Sequence, residues 1–113
     1  MINYDGRRFR STHTGPDGDA PEALYRQEGD LLRAEFAGRD VRHGSLAGRV
    51  LDEKGTLSFA YCMVLDNGDV ISGHSVNTPE FLPDGRIRLH ERWERYGEHV
   101  DSGISHLEEV REG

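Results

Sequence analysis

The chain has 113 residues, of which 35% are hydrophobic and 31% charged, and its formal net charge is −7. That length suits one domain over residues 1–113, and so polar a composition excludes one thick core and favours a thin layer or small barrel that exposes every second residue. The acidic balance excludes a basic stripe for nucleic acid, the lone Cys62 excludes an internal disulfide, and the lack of any long apolar run, or of an apolar leader in "MINYDGRRFR", predicts a soluble cytoplasmic protein without a membrane partner.

Turn signals divide the chain into eight segments of strand length. The first, "FRSTHT", runs into the turn "GPDGDAP". Next come "EALYRQ" and "LLRAEFA", separated by "EGD"; Leu32, Ala34 and Phe36 share one side of the latter. A helix over "PEALYRQEGDLLRAEF" competes with this pair of strands, but Gly29 and the turn chemistry around it interrupt the helix. "VRHGSLAGRVLD" places Gly44, Leu46, Gly48 and Val50 on one phase. "TLSFAYCMVL" does the same with Leu57, Phe59, Tyr61 and Met63. Asn67-Gly68 predicts a type I′ hairpin turn, with positive φ at both central residues. "VISGHSVNT" has Ile71, Gly73, Ser75 and Asn77 on the core phase. The two prolines of "HSVNTPEFLPDG" suggest a long loop or bulged strand end able to cover one barrel mouth. Pro83-Asp84-Gly85 marks another turn. The final segment, "VDSGISHLEEV", is a strand with a helical turn left open after Leu107.

The seventh segment, "RIRLHERWERYG", is the most informative. Ile87, Leu89 and Trp93 make no compact stripe at helical period, but as a strand they share a face with Glu91 and Arg95. Arg88, His90, Arg92 and Glu94 take the other face. Glu91 therefore points inward between apolar neighbours, where a carboxylate needs a partner. Three roles are open to it: an internal polar contact, a ligand anchor, and a general acid or base.

Short antiparallel strands with short connections predict an all-β fold. In meander order they give an eight-stranded antiparallel up-and-down barrel, calycin- or lipocalin-like, which leaves no open edge. Such a barrel has room for one small ligand or for side chains alone. On this phase Phe36, Phe59, Tyr61 and Trp93 line the cavity, while Tyr25, Ser75 and Glu91 orient a ligand; Gln27 and Ser105 add polar groups. The inward Gly44, Gly48 and Gly73 provide either tight curvature or space for a ligand.

The six histidines form neither HxH nor HExxH, so no metal site is expected. His43 and His90 fall on outward phases. No nucleophile elbow, Walker loop or dinucleotide fingerprint occurs, and no cofactor is expected. The expected function is binding of a small molecule of unknown identity. The alternatives are a small barrel enzyme of isomerase, cyclase or lyase type using Glu91, and a filled barrel serving structure or self-association. Tyr96 is a candidate contact for a homodimer.

The stretches "INYDGRRFR", "YRQEGDLLRAEFAG", "RHGSLAGRV", "GHSVNTPEFLPDGRIRLHERW" and "SGISHLEE" cover most of the chain. In them it resembles a family of short bacterial proteins commonly labelled N-acetylglutamate synthase. That label implies an α/β acyltransferase with a Q/R-x-x-G-x-G/A loop holding a pyrophosphate on a helix N-terminus. Here "RQEGDL" lacks the second small residue, "RHGSLA" has the wrong spacing, and βαβ alternation is missing. No acetyltransferase residue is therefore carried over, and N-acetyltransferase activity is not expected. The strand pattern makes the family look calycin-like, similar to lipocalins, avidins and their relatives.

Overall fold

The structure, a computed structural model, describes residues 2–12 and 21–111. The end of the first segment, at His13 and Thr14, and most of the "GPDGDAP" turn lie outside the described residues. Among the described residues nine strands occur: β1 (Arg8–Ser11), β2 (Glu22–Leu24), β3 (Arg26–Glu28), β4 (Leu31–Gly38), β5 (Val41–Val50), β6 (Leu57–Leu65), β7 (Val70–Phe81), β8 (Ile87–Tyr96) and β9 (Asp101–Val110). The 3-10 turn Gly97–His99 joins the last two.

Every pairing is antiparallel. From β4 to β9 each strand pairs with its successor, β9 returns to β1, β1 pairs with β2, and β2 pairs with β4. The result is a closed eight-stranded up-and-down barrel, as the strand spacing predicts. β3 stands outside that ring as an extension of β2. Glu22↔Ala37 and Arg26↔Arg33 belong to one unbroken register along β4. Tyr25, between the two pieces, ties them to the segment before β1: its N–H donates to Arg7 O (2.8 Å), and its carbonyl accepts from Gly6 N (2.9 Å).

The helix considered over residues 21–36 is not formed. Gly29 takes φ +59° in the turn between β3 and β4, a conformation that breaks a helix and costs glycine little. The last segment also stays extended to Val110, because β8 and β1 pair with it from both sides. The segment around Pro79 is strand too, not a loop over the barrel mouth. Leu82 N–H donates to Arg86 O (2.8 Å), so ladder alternation makes Pro79↔Leu89 a non-hydrogen-bonded pair. The missing donor of Pro79 therefore faces away from β8, on a side where β6 has already ended at Leu57↔Asn77.

The turn at Asn67-Gly68 is a hairpin of a different type from the expected one. Gly68 has φ +91°, but Asn67 keeps negative φ. Leu65 N–H donates to Asp69 O (2.9 Å) and Gly68 N–H to Leu65 O (2.9 Å). This is the three-residue loop with a glycine bulge, and Pro83–Gly85 repeats it, with Gly85 N–H donating to Leu82 O (2.9 Å).

Period-two alternation sends Leu32, Ala34, Leu46, Val50, Leu57, Phe59, Ile71, Ile87 and Leu89 inward. One end of the barrel is filled. Tyr4, Phe9 and Tyr25 cluster there with ring centroids 4.7 to 6.4 Å apart, and Leu32, Leu57, Ile87 and Leu89 are fully buried. Each such side chain contributes about 1.5–3 kcal/mol through burial. Glu109, also buried, accepts from Arg7 Nη1 (2.9 and 3.1 Å) and from Ile87 N–H (3.1 Å) at this end. The other end holds a pocket.

Candidate functional site

Glu91, Trp93 and Arg95 succeed one another on the inner phase of β8, from the packed core toward the open end. Register sets Glu91 beside Asn77 of β7 and Ser105 of β9. The Ser105 hydroxyl donates to Glu91 Oε1 (2.8 Å), and the Ser75 hydroxyl donates to Oε2 (2.7 Å). Asn77 Nδ2 in turn donates to Ser75 Oγ (3.0 Å). The order is directional, because Ser75 has one proton and Asn77 fills a lone pair, so the proton is left for the carboxylate. Bonds to an ionised acceptor are stronger than neutral ones, and two of them fix the plane of the carboxylate. Asn77 Oδ1 is buried with no partner among the described residues.

Tyr25 is buried and borders the pocket near Glu91. Burial, and then the charge of Glu91, hold its phenol well above the usual tyrosine range. Its hydroxyl thus stays protonated beside a carboxylate.

Above Glu91 opens a pocket of about 590 Å³. Phe36, Leu46, Phe59, Tyr61, Met63 and Trp93 form its apolar walls. Six of the seven residues expected at a ligand site border it: Tyr25, Phe36, Phe59, Tyr61, Glu91 and Trp93. Ser75 does not. It is fully buried behind Glu91 and meets the carboxylate, not the cavity. Gln27 is also elsewhere, accepting from Tyr4 N–H (2.9 Å) and donating to Gly29 O (2.8 Å).

Inward glycines serve the aromatic walls. A Cβ on Gly44 would collide with the Phe36 ring, one on Gly103 would lie 2.6 Å from the Trp93 ring, and one on Gly73 would strike Tyr61 and Glu94 O. These strands lack side chains where the rings of neighbouring strands lie over them. Gly48 differs, because its Cβ would enter the β6 backbone at Ser58 and Phe59. The choice between curvature and ligand space therefore has a third answer at Gly44 and Gly73, as at Gly103: the protein's own rings fill the room.

Arg95 was on the inward phase in the sequence but without a role. Its guanidinium carbon lies 5.2 Å from the Trp93 ring centroid, and it borders the pocket. Tyr61 Oη beside it donates to Glu94 O (3.2 Å). Burial raises the Tyr61 phenol, and the neighbouring Arg95 offsets part of that. Asn77 was legible only as a phase position of β7, where its partner Ser75 also lies; the partners of Glu109 on β9 are Ile87 of β8 and Arg7, just before β1.

The outer face is a separate matter. His90 is hydrogen-bonded to Glu80 (2.8 Å) and stacked edge-on against His106, and His74 is bonded to Ser58 (2.8 Å). Cys62 is exposed. Among the described residues no group of three or more His, Cys, Asp or Glu is placed to hold a metal ion, and no helix is long and apolar enough to cross a membrane.

No curated protein matches the chain. Residues 2–110 match the model of a family described as "Avidin-like protein".

Proposed function

The chain belongs to the avidin-like family, and from that premise we propose that it is a small-molecule-binding barrel whose ligand is anchored by Glu91. One observation carries the reading. A carboxylate oriented by two serine hydroxyls stands at the floor of a pocket of about 590 Å³ with aromatic walls. Concave, mostly apolar pockets with a few fixed polar groups are the usual form of small-molecule sites. The apolar walls take the body of the ligand, and the outward lone pairs of Glu91 take a hydrogen-bond donor on it.

Both carboxylate oxygens are already committed to hydroxyl donors, which favours an anchor over a group that gives and takes a proton. Acetyl transfer is not part of this reading, since among the described residues no helix N-terminus or glycine-rich phosphate loop borders the pocket.

Native mass spectrometry of freshly purified protein tests the proposal. A mass excess that vanishes on denaturation, and that is lost in Glu91→Gln with the fold intact, supports it. A ligand retained equally by Glu91→Gln would remove Glu91 from the site. The same spectrum counts subunits, and a doubled mass would support the self-pairing expected at the exposed Tyr96.

A further inference from the structure

His90 and His106 face each other on the outer side of the barrel. They are direct partners in the β8–β9 register, and their rings meet edge-on with centroids 4.8 Å apart. Two imidazoles on one tetrahedral ion, with metal–nitrogen bonds of about 2.0–2.1 Å, stand about 5 Å apart centre to centre. The two strands thus already hold the pair at the spacing of a chelate. No motif in the sequence announces it, because each histidine comes from a different strand.

One ring is also prepared for the role. The Glu80 carboxylate lies 2.8 Å from His90 Nε2. A carboxylate only accepts, so Nε2 carries the hydrogen and the neutral ring keeps its lone pair on Nδ1. The bond from His90, ahead of the charged neighbours, holds the Glu80 carboxyl below the usual range, so Glu80 stays ionised. Arg88 is 4.0 Å from Glu80 but makes its closer pair with Glu108 (2.7 Å). A carboxylate behind the histidine is the usual second partner of a metal-binding imidazole.

We propose that His90 and His106 form a two-histidine site for a divalent transition-metal ion of the zinc class, which clips β8 to β9 on the outer face. Imidazole suits zinc, copper and nickel, whereas magnesium and calcium take oxygen ligands. Two protein ligands leave the other positions to water. The site is therefore an exchangeable one, distinct from the groups of three or more ligands that are lacking among the described residues. Glu91↔Ser105 is the next pair in the same register. On the inner face that pair carries the hydrogen bond from Ser105 to Glu91 (2.8 Å), so an ion outside and this bond inside hold the same two strands together.

Zinc chloride is the probe and magnesium chloride the control, on purified chain first freed of metal with a chelator. Calorimetric titration is expected to show one zinc per chain. Thermal melts at about 0.1 mM zinc are expected to show a rise in Tm that magnesium does not give. His90→Gln and His106→Gln each lower zinc affinity by about tenfold or more and remove the rise, with circular dichroism showing the fold intact. Glu80→Ala removes no ligand but frees the His90 ring, and lowers the affinity by about tenfold. His74→Gln, which alters a histidine bonded to Ser58 instead, leaves binding unchanged. Absence of zinc binding overturns the proposal. So does binding that survives His106→Gln, an equal response to magnesium, or one zinc shared between two chains.

Discussion

Ser75 shows how much one hydroxyl can hold. It is fully buried, donates to Glu91 and accepts from Asn77. Ser75→Ala would leave a carboxylate oxygen and an amide donor unmatched inside the barrel, at a cost of about 1–3 kcal/mol. Ser105→Ala removes a donor from a half-buried position that water can reach, so its cost is smaller. Urea unfolding of the two variants checks the order, and an equal loss would mean that Asn77 is satisfied some other way. Tyr4 and Tyr25 give the pH dependence. Burial raises both phenols above the ordinary value of 10.0, and Tyr4 Oη also donates to Gly55 O (2.5 Å). The folded state holds these protons more tightly than the unfolded chain. Their contribution is therefore complete below about pH 10 and is lost as pH rises above it. Tyrosinate absorbance is expected to appear together with unfolding, and Tyr25→Phe to move the alkaline midpoint upward. Tyrosinate formed by Tyr4 and Tyr25 while the near-ultraviolet dichroism persists would sink this account.

Strands differ in what a glycine does for them, and substitution separates the cases. Gly48→Ala drives a methyl into the β6 backbone, which cannot move without breaking ladder bonds, so a loss of about 3 kcal/mol or more is expected. Gly44→Ala meets the Phe36 ring, which can turn toward the pocket, so about 1 kcal/mol is expected, with a smaller cavity. Thermal melts of the two variants decide it; a costlier Gly44→Ala would mean the Phe36 ring is pinned. The sequence shows the phase of these glycines but not what lies over them, because the ring comes from the adjacent strand and its rotamer is a tertiary choice. The same limit explains the other differences. Ile87, Leu89 and Trp93 at period two revealed β8 and the inward Glu91, since the alternation lies within one strand. Pro79 argued for a loop or a bulged strand end because its missing donor matters only on a paired side, and which side is paired depends on where β6 ends. Ser75 has the right phase but not the right depth, for Glu91 stands between it and the cavity. Arg95 was visible as an inward arginine, but its stacking on Trp93 was not.

Closure of the barrel is a property of the whole molecule, and it is uneven. β7 and β8 pair without a break from Ser72↔Tyr96 to Phe81↔Ile87. At the seam between them, among the described residues, β2 pairs with β4 only at Glu22↔Ala37 and Ala23↔Phe36, and β1 pairs with β9 from Arg8 to Ser11, followed by Thr12 N–H donating to His106 O (3.0 Å). At the filled end Glu109 braces this weak side by joining Arg7 to the backbone of β8. Glu109→Gln is expected to cost about 2 kcal/mol, allowing for solvent at the partly exposed Arg7. Hydrogen exchange should then be slowest in β7 and β8 and fastest in β2, with Glu109→Gln speeding the β1–β2 side most. Protection of β2 equal to that of β8 would refute an uneven barrel. Function enters through the same seam. Ala23 and Phe36, paired across it, both border the pocket. A ligand that packs against both is bound only when the seam is shut, so it must stabilise the closed form by its binding free energy. A small molecule retained in the pocket should therefore slow exchange at β2 and β4 more than at β7 and β8, compared with the same protein freed of it. Uniform slowing would show that the ligand stabilises the fold as one unit, with no special claim on the seam.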